Sequence, residues 1–131
     1  MQITKLDHVN VRTAQLTVMI DWYTRVLGMR SGWRPDFSFN GAWMYLGETP
    51  VIHLVEIAET ATGAEVQLKL EHFALAATGR AAQFEAQLST LGETFKRSKP
   101  PSSNLLQVNI WDPDGNHIHI DFIDDESGGS S

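Results

Sequence analysis

Strand-like alternation followed by helix-like spacing occurs twice along this chain, in the same order each time. Apolar and polar residues alternate over residues 3–12 and again over residues 68–77, which predicts a strand at each place. Apolar residues then recur at helical spacing over residues 16–27 and 81–91, so a helix is predicted after each strand. Three strands are predicted to follow each helix, at residues 29–34, 42–46 and 51–57 and at residues 93–98, 105–111 and 117–123. The pattern predicts an α+β fold of two β-α-β-β-β modules.

Capping and turn residues mark the boundaries of these elements. Thr13 is placed to cap the first predicted helix, and Gly28 and Gly92 are placed to end the two helices. Asp112-Pro113-Asp114-Gly115 suits a type I turn, with proline at its second position and glycine at its fourth. This turn is predicted to lead into the last strand.

The two halves also align with each other. Leu6-Asp7-His8 falls on Leu70-Glu71-His72 at a shift of 64 positions, and Ile52-His53-Leu54 falls on Ile118-His119-Ile120 at a shift of 66. We interpret this as an internal duplication, and a repeat indicates architecture more firmly than local propensity does. The predicted organisation is one structural domain of four segments: a first module over residues 1–57, a linker over 58–67, a second module over 68–123 and a disordered tail over 124–131.

Composition excludes several classes of function. The 131 residues include no cysteine, so disulfides, zinc fingers and cysteine nucleophiles are excluded. Sixteen acidic residues against 10 lysines and arginines give a net charge of −6, which disfavours nucleic-acid binding. No apolar run approaches the roughly 20 residues that span a bilayer, and no signal peptide is evident. We expect a cytoplasmic protein with no nucleic-acid or membrane partner.

The histidines are the candidates for chemistry. Four of the five form two pairs related by the repeat, His8 with His72 and His53 with His119. Imidazole binds divalent metals as a neutral ligand, and independent packing residues would not be expected to follow a repeat. We predict that His8, His72 and His119 ligate a metal, with His53 as a candidate fourth ligand. The alternative is that each is a packing or solvent-facing strand residue, and a solvated position is expected for His117.

Strand alternation adds a carboxylate to this group. On the last predicted strand His117, His119 and Asp121 share one face. Asp121 is therefore a candidate catalytic residue in one of three roles: it orients a histidine ligand, accepts a proton, or ligates the metal itself. A surface aspartate without a role is the alternative.

Three segments resemble the vicinal oxygen chelate superfamily: Leu6-Asp7-His8-Val9, residues 21–29 at the end of the first helix and just beyond it, and residues 112–119 around the turn. That superfamily includes glyoxalase I, extradiol dioxygenases, methylmalonyl-CoA epimerase and the fosfomycin and bleomycin resistance proteins. The resemblance implies two β-α-β-β-β modules that form a curved, U-shaped mixed sheet with the helices outside. It also implies one divalent metal ion (iron, zinc, nickel or manganese), a small-molecule substrate and a homodimer.

The resemblance carries over to four residues. His8 and His72 match the family's two opening-strand histidines, whereas His119 and His53 fall where members carry glutamate. Histidine in place of both carboxylates leaves the metal its full charge and removes the base on which glyoxalase-type proton transfer depends. We therefore expect a metal-dependent enzyme that binds its substrate through two adjacent oxygens, with a dioxygenase favoured over an isomerase or lyase. Two alternatives are a metal-free sequestering protein of the bleomycin-resistance type and a relic without activity.

One further segment resembles small members of the superfamily, residues 34–43. Arg34 is a candidate to pair a substrate carboxylate, and Phe37, Phe39, Trp43 and Tyr45 are candidates to line an apolar or aromatic pocket. The alternative is core packing for the aromatic side chains and a solvated position for the arginine.

Overall fold

The computed structural model describes residues 1–59 and 68–124. The chain divides into two compact units, Met1–Thr62 and Gly63–Ser131, and each is described here by itself. Most of the predicted linker and tail lies outside the described residues. The elements of the first unit are β1 (Val9–Thr13), α1 (Leu16–Arg25), β2 (Arg30–Gly32), β3 (Gly41–Leu46) and β4 (Thr49–Glu56). Those of the second are β5 (His72–Ala76), α2 (Ala81–Thr90), β6 (Lys96–Ser98), β7 (Leu105–Trp111) and β8 (His117–Ile123).

Both units have the same sheet topology. The strand order is β1-β4-β3-β2 in the first sheet and β5-β8-β7-β6 in the second. In each sheet the opening strand runs parallel to the closing strand, and the remaining pairs are antiparallel. The registers are equivalent too, since Val9 pairs with Ile52 and Phe73 pairs with Ile118. The predicted α+β fold and the duplication are confirmed; the U-shaped surface stays a prediction.

One face of each sheet is apolar and buried. In the first unit Met44, Ile52 and Leu54 are at most 1% exposed. Helix α1 contacts β2, β3 and β4, and its Met19 and Tyr23 are fully buried. Burial of such side chains contributes roughly 1.5–3 kcal/mol each. Because side chains alternate along a strand, the residues between these apolar ones project from the opposite face, and His53 is among them.

The second sheet follows the same division. Val108, Ile110 and Ile118 are fully buried, and Phe122 packs against Phe84 of α2 with ring centroids 5.8 Å apart. The intervening residues of β8 therefore project from the other face. The fold thus separates an apolar face under each helix from a face that carries the candidate site residues.

The opening strands are shorter than predicted. The ladder between β1 and β4 begins at Val9, and β5 begins at His72, although alternation starts at residues 3 and 68. Ile3 and Leu6 are 83% and 79% exposed. The predicted early start is wrong because alternation makes a strand only where a neighbouring strand supplies hydrogen bonds. Strands β2 and β6 are likewise shorter than their predicted spans.

The helix boundaries are confirmed at one end and corrected at the other. Gly28 and Gly92 follow the two helices with φ of 69° and 75°, a conformation that favours glycine. Thr13 does not cap α1, whose N-cap residue is Gln15. Thr13 is instead the last residue of β1, and its hydroxyl accepts a hydrogen bond from the Gln15 amide at 3.0 Å. It closes the strand-to-helix turn.

The predicted turn before β8 is organised by one side chain. Asp112 is 4% exposed, and its Oδ1 accepts hydrogen bonds from the backbone amides of Asp114 and Asn116 at 3.0 and 2.9 Å. Its Oδ2 accepts another from the Asn116 side chain at 2.9 Å, and its carbonyl accepts from the Gly115 amide at 2.8 Å. This turn sets where β8 begins.

Asp112→Ala is expected to lower the free energy of unfolding by about 1–3 kcal/mol, because it leaves two half-buried backbone amides without their acceptor. Asp112→Asn keeps one side-chain oxygen and should lose less. Urea denaturation followed by circular dichroism measures the loss, with the exposed Asp36→Ala as control. Equal stability of Asp112→Ala and the control would contradict the assignment.

Candidate functional site

In the first unit two candidate histidines lie in one ring stack. His8 immediately precedes β1, and its ring lies on that of His53 with centroids 3.7 Å apart and planes at 8°. The other face of His53 lies on Trp43, its cross-strand partner on β3, at 3.9 Å and 13°. His53 is thus held between two rings.

The ring nitrogens of this stack have different partners. His8 donates from Nδ1 to Asp7 Oδ1 at 2.7 Å, and His53 donates from Nε2 to the Pro50 carbonyl at 3.0 Å. A ring-nitrogen lone pair lies in the plane of its ring, and metal–nitrogen bonds are only about 2.0–2.1 Å long. Two nearly parallel rings therefore direct their lone pairs along separate planes. His8 and His53 cannot both ligate one ion unless a ring leaves the stack.

The stack also changes two protonation equilibria. Burial lowers the pKa of His53, and the charge of His8 lowers it further, against a smaller opposing effect of the Pro50 carbonyl. A hydrogen bond from His8 lowers the pKa of Asp7. His53 is accordingly a neutral imidazole at pH 7.

In the second unit three histidines lie close together. The His72 ring centroid is 4.5 Å from that of His119 and 5.1 Å from that of His117. His72 donates from Nδ1 to Glu71 Oε1 at 2.9 Å, and His119 donates from Nδ1 to Asp121 Oδ1 at 2.6 Å. His119 is 7% exposed, whereas His72 lies at the exposed start of β5. The structure therefore gives Asp121 the geometry of an acceptor that orients His119.

Sequence reasoning missed a role for two residues here. A solvated position was expected for His117, but its side chain is only 13% exposed. The Nδ1 atom of His117 lies 2.6 Å from Glu71 Oε2. One ligating atom each from Glu71, His72 and His117 lies within 4.8 Å of the others. The repeat could have revealed Glu71, because Glu71 precedes His72 in the same way that Asp7 precedes His8. The role of His117 could not be found in this way, because it depends on the register that pairs His72 of β5 with His117 of β8.

Four of the five predicted substrate-binding residues lie together in the first unit. The Arg34 guanidinium carbon is 4.9 Å from the Phe37 ring centroid and 5.4 Å from that of Phe39. These two phenylalanines stack at 4.9 Å, and Phe37 lies 6.4 Å from Trp43. Arg34 also donates from Nη2 to the Phe39 carbonyl at 3.2 Å. Trp43 links this aromatic cluster to the histidine stack.

Tyr45 has a different position. Its hydroxyl donates to the Trp33 carbonyl at 2.5 Å, and its ring lies under the Arg30 guanidinium at 4.8 Å. A methyl group at Gly32 would come within 2.7 Å of the Tyr45 ring, so the ring covers that strand. Tyr45 supports β2 rather than the aromatic cluster.

Three candidate metal ligands share one hydrogen-bonding arrangement. In each, a carboxylate accepts from Nδ1, and Nε2 has no hydrogen-bond partner among residues 1–59 and 68–124. The pairs are Asp7–His8, Glu71–His72 and Asp121–His119. Metal-bound histidines characteristically donate their second nitrogen to a carboxylate, which fixes the tautomer and strengthens the ligand. Each of these histidines, taken within its own unit, therefore has the hydrogen bonding expected of a ligand to a divalent metal.

A repeated β-α-β-β-β module with histidines at the two opening strands and on the closing strands defines the class of protein. The family model of the Glyoxalase/Bleomycin resistance protein/Dioxygenase superfamily matches residues 5–120, and the chain belongs to that superfamily. No curated protein matches the chain significantly.

Solved structures share the fold at low sequence identity. A glyoxylase/bleomycin resistance protein/dioxygenase domain from Frankia sp. EAN1pec is 19% identical, with a TM-score of 0.77 and 93% of each chain covered. The genomically encoded fosfomycin resistance protein FosX from Listeria monocytogenes is 10% identical, with a TM-score of 0.72 and coverage of 92% of this chain and 94% of that one. Lactoylglutathione lyase from Agrobacterium tumefaciens is 16% identical, with a TM-score of 0.70 and coverage of 92% and 95%.

Within the part of the chain that the structure describes, neither helix is long and apolar enough to cross a membrane.

The lowered pKa of His53 predicts a pH dependence of the metal-free protein. As the pH drops, His53 of the unfolded chain takes up a proton near its ordinary pKa of 6.5, whereas His53 of the folded chain does so only at a lower pH. The free energy of unfolding therefore falls as the pH drops through 6.5. His53→Gln should lose less stability than the wild type between about pH 7.5 and about pH 5.5. An NMR titration of the His53 ring checks the cause directly, and a midpoint at or above 6.5 would contradict it.

Proposed function

We propose that this chain is a metal-dependent enzyme that binds a small substrate through two adjacent oxygens. The observation that carries the proposal is the shared arrangement at His8, His72 and His119, where a carboxylate holds Nδ1 and leaves Nε2 for a metal. Hydrogen-bonded packing histidines need no such uniformity, whereas ligands need one fixed tautomer each.

His72 and His119 are the most strongly supported ligands, because their rings lie 4.5 Å apart within one unit. His8 is the proposed third ligand, through its equivalence to His72 in the repeat. His53 is better suited to holding His8 in place, since its ring is stacked and its Nε2 is bound to Pro50. A divalent iron, zinc, nickel or manganese ion bound there would polarise the substrate oxygens and stabilise negative charge on them.

The chain's own residues would then do two things. Asp7, Glu71 and Asp121 hold the imidazoles in the tautomer that presents Nε2. Arg34 and the aromatic cluster beside it would receive the rest of the substrate, with the guanidinium facing an anionic group and the rings facing an apolar or aromatic one.

We favour a dioxygenase over an isomerase or lyase. Asp7, Glu71 and Asp121 each accept an Nδ1–H, and a proton taken up by the accepting oxygen would break the bond that orients the imidazole. Oxygen uptake by the iron-loaded protein with a catechol as probe separates the two reactions, because an isomerase consumes no oxygen.

Metal content tests the proposal itself. Protein purified without chelators or a histidine tag should carry about one divalent ion per chain, and His72→Ala should lose it because a ligand nitrogen is gone. Lys69→Ala, an exposed change three residues away, is the matched control and should keep the ion. Elemental analysis by mass spectrometry measures both. Metal-free wild-type protein that cannot be loaded with any of the four ions would defeat the proposal.

A second candidate function is metal-free sequestration of an aromatic ligand. The stacked Phe37 and Phe39 beside Trp43 favour it, and the acidic balance of the chain suits a cationic ligand. Ligand-induced changes in tryptophan fluorescence that persist in excess chelator would support this function over the enzyme.

We further propose that the chain forms a homodimer and acts in the cytoplasm. The outermost strands of the described sheets, β1 and β2 in one and β5 and β6 in the other, have a strand neighbour on one side only within their own sheet. Open edges favour coverage by a second copy. The cysteine-free sequence suits a reducing compartment.

A further inference from the structure

A chain of hydrogen bonds crosses the second sheet from His72. Glu71 accepts from His72 Nδ1 through Oε1 at 2.9 Å and from His117 Nδ1 through Oε2 at 2.6 Å. The other nitrogen of His117, Nε2, lies 2.8 Å from Asn109 Oδ1, and the ring donates to both oxygens when each nitrogen carries a proton. The Glu71 carboxylate is therefore held from both sides, although its side chain is 45% exposed.

The far end of this chain is anchored to β6. Asn109 donates from Nδ2 to the Lys96 carbonyl at 2.8 Å and to Ser98 Oγ at 2.9 Å. A carbonyl can only accept, so these bonds fix which side of the amide faces His117. The indole of Trp111 stacks on the His117 ring at 5.2 Å and 15°. The position of Glu71 is thus set by strands β8, β7 and β6, none of which carries Glu71 itself.

The equivalent positions of the first unit do not carry the residues that form this chain of hydrogen bonds. Register places Val51 where the second unit has His117, and Trp43 where it has Asn109. Asp7, the counterpart of Glu71, is 74% exposed. His8 is held instead by its stack on His53.

We propose that His117 and Asn109 are positioning residues for His72: through Glu71 they fix the ring so that Nε2 is presented to the metal. This inference rests on the proposed function. The Glu71, His72 and His117 group is not itself the metal site in this arrangement. The Nδ1 atoms of His72 and His117 lie 2.9 and 2.6 Å from the carboxylate oxygens and donate their protons to them, so neither Nδ1 has a lone pair for an ion.

His117→Phe tests the inference, because it keeps a ring against Trp111 and removes both hydrogen bonds. Zinc affinity measured by titration calorimetry should fall about 10- to 100-fold, the usual effect of losing a partner that orients a ligand. His117→Gln can still donate to Glu71 and should restore part of the affinity. Gln87→Met, an exposed change on α2 with no side-chain bond to the Glu71, His117, Asn109 and Ser98 path, is the control and should bind as the wild type does.

The tautomer of His72 provides a second readout that a general loss of stability would not change. In metal-free wild type, NMR of the ring nitrogens should show the proton on Nδ1, and in His117→Phe the two tautomers should both be populated. Unchanged zinc affinity and tautomer in His117→Phe would overturn the positioning role while leaving the proposed function intact. Complete loss of zinc, as expected for His72→Ala, would also overturn it, because His117 would then be a ligand. A wild type that binds no zinc or other divalent ion would instead defeat the proposed function.

Discussion

The candidate site depends on one interaction, the hydrogen bond from a histidine Nδ1 to a carboxylate. A neutral imidazole has two tautomers, and only one of them offers the Nε2 lone pair. A carboxylate at Nδ1 selects that tautomer and restricts rotation of the ring, since the carboxylate accepts hydrogen bonds and cannot donate them. Such charge-assisted bonds are also stronger than neutral ones. Asp7, Glu71 and Asp121 supply this acceptor at three places.

The fold supplies these acceptors by two different routes. Asp7 and Glu71 precede their histidines in the chain, so a short local bond forms just where the opening strand begins. Asp121 lies two residues beyond His119, and strand alternation brings the pair to the same face. Duplication therefore reproduces the local pair in both units. What holds each pair in place has diverged, because the first unit uses stacked rings and the second uses a polar network.

Sequence alone predicted the modules, the duplication and a shared face for His119 and Asp121, because these follow from spacing within one strand or from the repeat. It missed His117 because the role of that residue depends on being opposite His72 in a parallel ladder, and spacing along the chain carries no information on register. The stack of His8 on His53 was unpredictable for the same reason. Thr13 was misassigned because the turn after β1 uses its hydroxyl before the helix begins.

The same bonds limit the chemistry that the chain can perform. A carboxylate oxygen that took up a proton would give up the bond that orients the imidazole. Asp121 is engaged in this way by His119, one of the two histidines that the resemblance places where members of the superfamily carry glutamate. In the described residues, Asp7, Glu71 and Asp121 therefore serve to orient imidazoles. In the proposed metal-dependent enzyme, such an arrangement would favour attack on the bound substrate by a second reactant over a proton transfer carried out by these carboxylates.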